Sequence, residues 1–371
     1  MTSRSKGLDY YFNKKSGKQY WVHKDLPQGW SKIIEADRRT YYFHISDEMG
    51  TRSLVTDGTD QEQAAQFYSK LSRKKTSDRA DSRLYHMRCM NNWVKSVLIQ
   101  EYSQKQSRVL DLACGKGGDM NKWARHNFQM YMGVDIALGS LEDAATRIQQ
   151  NADLSRSDIH LWHRAVPLDH PHSFDVVSMQ FAFHYMFCDE ARATQFFVTL
   201  HSTLRPGGMF IATTIDPNRV IQKLMATVGG EEIVDGKVVG PAPIQLRDGK
   251  DRALCTIRMD PSTTTRLLRP TKDDRGFGLR YMFTLIDGDD EEAVNLPEYL
   301  IPSSLLHQML DEHGFDLVLQ ENFQTFIGLH KDSHKSLLMK MNVLNFQGTI
   351  SDVEWDIAGL YQVLAFKKRA A

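Results

Sequence analysis

The chain is poor in cysteine. Its 371 residues hold four, Cys89, Cys114, Cys188 and Cys255. None forms a CxxC pair, so the spacing suggests neither a zinc site nor a disulfide framework. A reducing compartment suits that usage. Net charge is also missing: 46 Lys and Arg balance 46 Asp and Glu. With no global basic field, a nucleic-acid ligand must be held by a local patch or by its non-phosphate parts. No apolar run approaches the roughly 18 residues that a membrane helix needs. The opening MTSRSKGLDYYF lacks the apolar core of a secretory signal. The expectation is a soluble, intracellular chain with no membrane partner. Hydrophobic residues at 41% and charged residues at 25% exclude wholesale disorder. The length allows two or three domains, or one large domain with an attachment.

What is present begins with a repeat. Tyr10-Tyr11-Phe12 recurs as Tyr41-Tyr42-Phe43. Ser16-Gly17 and Trp21 follow the first copy, and Leu26-Pro27-Gln28-Gly29-Trp30 precedes the second. These features resemble WW domains, the first copy matching the back half of one and the second most of one. The resemblance implies a small β-rich WW-like module over 1–57. A WW domain grips proline between a Tyr and its second Trp, which here points to Tyr11 and Trp21 and to proline-rich segments of the transcription machinery as partners. The second copy departs from the pattern, with His44 at the Asn position and Arg52 where the second Trp would fall. Residues 58–82 predict a helix on Ala64, Ala65, Phe67, Tyr68 and Leu71, then a basic linker with Lys70, Arg73, Lys74, Lys75 and Arg79.

The central region carries cofactor chemistry. Ser107–Leu112 is an apolar strand of the buried parallel type. It runs into Ala113-Cys114-Gly115-Lys116-Gly117-Gly118-Asp119 and then a helix on Met120, Trp123 and Ala124. Strand, glycine loop and helix open a doubly wound α/β sheet. A second strand, Met130–Ile136, carries Asp135 at about the interval where an acid takes the ribose hydroxyls; the bland alternative is a cap for the helix at Leu138. Both dinucleotide dehydrogenases and S-adenosylmethionine enzymes use this plan. The loop is not GxGxxG, and Asp111 at the strand–loop junction suits a cationic methionine moiety better than a pyrophosphate, which favours methyl transfer. A later strand, Phe174–Gln180, delivers Gln180 to the carboxyl end of the sheet, where ligands sit, with His184 and Tyr185 opening the next helix. That helix, Glu190–Leu204, stops at Arg205-Pro206-Gly207-Gly208, and Met209–Thr214 reads as the strand after it.

Several segments together resemble the mRNA cap (guanine-N7) methyltransferase family: Asn91-Asn92-Trp93-Val94-Lys95-Ser96, VLDLACGKGGDMNKW, QFAFHY, LRPGGMFIATT, Leu296-Pro297-Glu298-Tyr299-Leu300, and Gly359-Leu360-Tyr361. The resemblance covers about 83–371 and implies a Rossmann-like, doubly wound S-adenosylmethionine-dependent methyltransferase fold. It implies cofactor roles for Lys95, Ala113, Asp135, Gln180 and Tyr185, to which the loop reading adds Asp111 and Gly115. It implies cap contacts for Asn91, Asn92, Lys116, Lys122, Arg147, His184, Glu298 and Tyr361, with 5′-capped RNA as partner and the nucleus as location. The family's acid at the adenine is absent from Trp162–Leu168; Asp169 or a backbone group must serve instead.

The chemistry explains the residue types. Guanine N7 carries an in-plane lone pair and needs no deprotonation, so no general base and no metal is expected, and His184 orients rather than abstracts. A carboxylate at Glu298 accepts from guanine N1–H and the exocyclic amine, a pair that adenine does not offer. Residues 229–278 read as an insertion, with EEIVDGKVV as a hairpin. The acidic run Asp287–Glu292 reads as a solvated loop. Two rivals stand beside the main reading: a small-molecule methyltransferase of the same fold, and a catalytically weak cap- or RNA-binding scaffold recruiting partners through the WW-like part.

Overall fold

The computed structural model describes residues 10–12, 19–21, 30–34, 40–44, 60–70, 82–163, 172–226, 231–234, 237–287 and 292–370. The chain divides into two compact units. One takes the described residues within Met1–Leu71 and Lys105–His170, the other those within Ser72–Gln104 and Pro171–Ala371.

From the N-terminus, β1 (Tyr10–Phe12) and β2 (Gln19–Trp21) pair antiparallel, Tyr10 opposite Trp21 and Tyr11 opposite Tyr20. The side chains of Tyr11 and Trp21, the expected proline grip, lie outside what the structure describes. β3 (Trp30–Ile34) and β4 (Thr40–His44) pair in a different sheet, with Tyr42 beside Trp162. Helix α1 spans Asp60–Lys70. Leu71 and the basic residues from Arg73 to Arg79 lie outside the described residues, as does Asp169.

Helix α2 (Tyr85–Tyr102) belongs to the second unit and buries Met87, Met90, Trp93, Val94, Val97 and Leu98, the three- and four-residue spacing of an amphipathic helix. The first unit resumes with β5 (Arg108–Leu112), α3 (Met120–His126), β6 (Met130–Asp135), α4 (Leu138–Gln149), α5 (Ala152–Ser155) and β7 (Ile159–His163). The three strands run parallel with β6 in the middle. Every residue of β6 is buried, as a strand covered on both faces requires.

In the second unit, β8 (Phe174–Gln180) leads through a 3₁₀ turn at Phe183–Phe187 into α6 (Glu190–Thr203) and β9 (Leu204–Ile215). The Arg205–Gly208 turn proves to be a bulge inside β9. Leu204 lies opposite Phe174 and Met209 opposite Val176, and Gly207 adopts φ +74°. Phe183 sits at the centre of the aromatic core, its ring 5.2 Å from Phe187, 5.4 Å from Phe196 and 5.3 Å from Phe210.

After α7 (Pro217–Ala226) comes the expected hairpin, β10 (Glu231–Val234) with β11 (Lys237–Pro241). A four-stranded antiparallel sheet follows: β12 (Ile244–Arg247), β13 (Ala253–Met259), then α8 (Pro261–Leu268), β14 (Leu279–Ile286) and β15 (Glu292–Leu300). The chain closes with α9 (Ser303–Glu312), β16 (Phe315–Asn322), α10 (Phe323–His330), α11 (Lys335–Lys340), α12 (Asp352–Ala358) and β17 (Tyr361–Lys368). β17 lies antiparallel between β9 and β16.

Asp287 corrects one expectation. It is fully buried, accepts a 2.5 Å hydrogen bond from the Ser82 hydroxyl and pairs with Arg88 on α2. A buried carboxylate needs such partners, so the first residue of the acidic run is an anchor rather than a solvated loop position. Among the described residues, no helix is long and apolar enough to cross a membrane.

Candidate functional site

In the first unit the chain leaves β5 through three left-handed positions, Ala113 (φ +53°), Gly115 (φ +54°) and Gly117 (φ +66°). Glycine takes this conformation freely, but a non-glycine residue such as Ala113 holds it only where its surroundings impose it. A Cβ added at Gly115 or Gly118 would meet nothing within 4 Å, whereas one at Gly117 would meet Met120 Cε at 2.0 Å. Gly115 and Gly118 leave room beside the backbone; Gly117 packs the loop against α3.

Asp135 ties this loop to the second strand. Its Oδ2 accepts from the Gly115 amide at 2.7 Å and its Oδ1 from the Ala137 amide at 2.7 Å. Burial raises its pKa, opposed by those backbone bonds. Each oxygen keeps a second lone pair, so the carboxylate holds the loop and remains able to accept a hydroxyl. Asp111 is buried and accepts 2.6 Å from the Tyr131 phenol. Lys116 pairs with Asp143 at 2.7 Å on a partly exposed surface. Lys122 is buried, reaching Asp119 at 2.6 Å and the Gly118 carbonyl at 3.2 Å, where it braces the end of the loop. Arg147 lies in the last turn of α4 with its Nε buried. The room beside the loop backbone, the left-handed turns and the acid after the second strand fit S-adenosylmethionine.

In the second unit, Glu298 on β15 lies opposite Tyr281 on β14. The alternation of β14 puts Tyr281 and Phe283 on one buried face. The Tyr281 phenol donates to Glu298 Oε2 at 2.6 Å. Glu298 Oε1 stands 3.5 Å from His184 Nε2, which makes no hydrogen bond, and His184 Nδ1 is 3.5 Å from the Thr214 hydroxyl. Burial pushes the Glu298 carboxyl up to about 8, the Tyr281 bond opposing it, and pushes the His184 imidazole down to about 3. At neutral pH their contact therefore joins two largely uncharged groups and is not an ion pair.

Aromatic rings continue from this pair. Tyr361, first residue of β17, lies 6.3 Å from Phe283, 5.1 Å from Phe181 and 5.7 Å from Phe323. Phe181 has φ +59°, and its amide donates to the Thr213 hydroxyl at 3.0 Å. The Lys95 ammonium stands 5.7 Å from the Phe181 ring centroid, within cation–π range. Gln180 is turned back to the sheet, donating to Ser178 Oγ at 3.2 Å and accepting from the Thr213 hydroxyl at 3.1 Å. The Tyr185 ring centroid is 4.3 Å from that of His184. On α2, Asn91 Oδ1 is buried without a hydrogen-bond partner, and Asn92 gives its carbonyl to Ser96 at 2.8 Å.

The structure thus links Lys95, His184, Tyr185, Glu298 and Tyr361 within one unit, and Asp111, Ala113, Gly115, Lys116, Lys122 and Asp135 within the other. Tyr281, Phe283 and Phe323 went unrecognised from sequence. Tyr281 leaves a faint trace in the apolar alternation of LRYMFTLI, but its pairing with Glu298 depends on a strand register that the intervening acidic loop conceals.

Parallel strands, the glycine loop and the paired acid define a Rossmann-like S-adenosylmethionine-dependent methyltransferase fold. The family model described as "mRNA (guanine-N(7))-methyltransferase domain" matches residues 55–237 and 258–369. The chain is 34% identical over 330 residues to mRNA cap guanine-N(7) methyltransferase 1 of Oryza sativa subsp. japonica, covering 82% of this chain and 80% of the relative. It is 32% identical over 346 residues to mRNA cap guanine-N(7) methyltransferase 1 of Arabidopsis thaliana, covering 87% and 86%. To the mRNA cap guanine-N(7) methyltransferase of Schizosaccharomyces pombe it is 27% identical over 361 residues, covering 91% and 92%. Among solved structures, the CcbJ methyltransferase of Streptomyces caelestis matches with a TM-score of 0.47 at 14% identity, covering 85% of this chain and all of that one. The chain belongs to the mRNA (guanine-N(7))-methyltransferase family.

Proposed function

We propose that this chain methylates N7 of the guanine that caps an RNA 5′ end, and that Glu298 selects the guanine. The observation that carries this reading is a carboxyl group, buried among aromatic rings, with one oxygen held by Tyr281 and the other directed toward His184. Its two oxygens match the N1–H and amine of guanine, and the bond strengthens as N7 alkylation makes the base cationic. When bound, S-adenosylmethionine supplies a methyl group on a positively charged sulfonium. Asp135, Ala113 and Gly115 hold the donor, with Asp111 at the methionine end; Lys95, Gln180 and Tyr185 are assigned to the same ligand. His184, neutral at working pH, fixes the base by a neutral hydrogen bond. Tyr361 packs against base or ribose, and Asn91 and Asn92 meet the cap from α2. Lys116, Lys122 and Arg147 face the triphosphate, Lys116 exchanging the Asp143 carboxylate for a phosphate oxygen.

Turnover of GpppG-ended RNA with S-adenosylmethionine tests the reading, N7-methylguanosine being quantified after nuclease digestion. ApppG-ended RNA is the control; equal methylation of both would remove Glu298 as the selector. For the N-terminal strands, the narrower proposal is a WW-like module over 1–57 that grips a proline-rich segment between Tyr11 and Trp21. Titration with a proline-rich peptide, read by tryptophan fluorescence, tests it. Nuclear residence completes the proposal and is read by cell fractionation.

A further inference from the structure

Away from the residues assigned above, three metal-ligating side chains converge. Glu101 stands in the last turn of α2, His330 ends α10, and His334 precedes α11. Their ligand atoms all lie within 4.8 Å of one another. We infer that Glu101, His330 and His334 form a surface site for a divalent transition-metal ion of the zinc class.

The backbone explains how the two imidazoles meet. The His334 amide donates to the His330 carbonyl at 3.0 Å and the Leu338 amide to the His334 carbonyl at 3.0 Å. Helical bonding thus continues past the end of α10, and residues four apart stand on one side of the turn. Both rings are braced from behind. Phe326 lies 4.3 Å from His330, centroid to centroid, and fully buried Trp93 meets His334 edge-on at 6.4 Å. The Trp93 indole N–H also reaches the His334 carbonyl at 3.4 Å. Glu101 already holds His334 Nε2 at 2.8 Å, so the carboxylate needs no long search to join a shared ion.

Two imidazoles and one carboxylate make a borderline-soft donor set. It suits zinc, cobalt or nickel and disfavours magnesium and calcium, which take oxygen ligands. Three protein ligands leave a fourth position for water, as expected at a surface. Ligands bound at about 2.0–2.2 Å in a tetrahedron lie about 3.4 Å apart. Closing from 4.8 Å asks for a small rotation, and exposed Glu101 is free to make it. The ion would fasten the 323–340 segment to the C-terminal turn of α2, the helix that carries Asn91, Asn92 and Lys95. Its position in sequence hides it: Glu101 lies more than two hundred residues upstream of the His330–His334 pair.

The test uses the full, tag-free chain, stripped with chelator and titrated with cobalt(II), zinc(II) and magnesium(II). One equivalent of cobalt should bind with the visible absorption of four-coordinate geometry, zinc should displace it, and magnesium should not. Zinc should raise the melting temperature. Glu101→Gln, His330→Gln and His334→Gln should each weaken cobalt binding by more than about 100-fold, beyond the 10- to 100-fold typical of outer ligand supports. His160→Gln, at a half-buried histidine on the other unit, should change nothing. Should a variant fail to fold, X-ray absorption of the wild-type cobalt complex decides independently, with two imidazole nitrogens in the first coordination shell expected. No stoichiometric binding, binding that survives loss of both histidines, or a shell of oxygen ligands alone would overturn the site.

Discussion

The Tyr281 phenol holds one oxygen of Glu298 at 2.6 Å across the β14–β15 pair, within a fully buried environment. This bond opposes the burial that lifts the carboxyl to about 8. Tyr281→Phe should therefore raise that pKa further and shift the acid limb of kcat/KM on capped RNA toward higher pH. A charge-assisted bond contributes about 1.5–3 kcal/mol, so the loss at pH 7 should be on the order of tenfold or more. An unchanged pH profile would show that the phenol does not tune the acid.

Glu298→Gln should lower kcat/KM on GpppG-ended RNA by on the order of 100-fold, within the roughly 2–5 kcal/mol of a broken buried charge pair. Affinity for S-adenosylmethionine, measured by calorimetry, should remain nearly intact. Equal loss of both would refute the division of roles.

The same carboxyl links stability to pH. Its folded pKa of about 8 exceeds the ordinary 4.5. Its contribution is therefore fully present below pH 4.5 and is lost as pH rises through about 8. Guanine binding must ionise the group, so at pH 7 it should release close to one proton, which calorimetry in buffers of different ionisation enthalpy would detect. His184 runs the other way: its pKa falls from 6.5 to about 3, so its contribution is present above 6.5 and is lost as pH falls through about 3. Glu298→Gln should flatten the decline of stability between pH 4.5 and 8 while leaving the acid-side loss in place.

Gly117→Ala should destabilise the chain and weaken donor binding. The new Cβ meets Met120 Cε at 2.0 Å in a left-handed position. Gly115→Ala places its Cβ in open space and should cost only the backbone penalty, about 1–2 kcal/mol. Urea unfolding of the two variants separates clash from strain.

Asp287→Ala should leave Ser82 and Arg88 without their buried partner. Because Arg88 is about one-third exposed, the loss should be about 2–3 kcal/mol, below the 3–5 kcal/mol of a fully buried pair. A chemical denaturation midpoint that does not move would show that water replaces the carboxylate.

Much of the donor side was legible because it is local. Strand, glycine loop, helix and second strand lie within 107–136, and the structure keeps them nearly where period and turn chemistry put them. The nucleobase side was legible only through resemblance, because His184, Glu298 and Tyr361 come from segments far apart in sequence. What the sequence hid was pairing. The β9 bulge looks like a turn because Pro206, Gly207 and Gly208 punctuate either. Asp287 looks solvated because burial depends on Ser82 and Arg88, two hundred residues earlier.

Glu298 and Tyr281 lie on a four-stranded sheet encoded as one stretch, 244–300, whereas Asp135 and the glycine loop precede it by more than a hundred residues. A change confined to that stretch therefore reaches the carboxyl and its phenol partner while leaving the sequence of the glycine loop untouched.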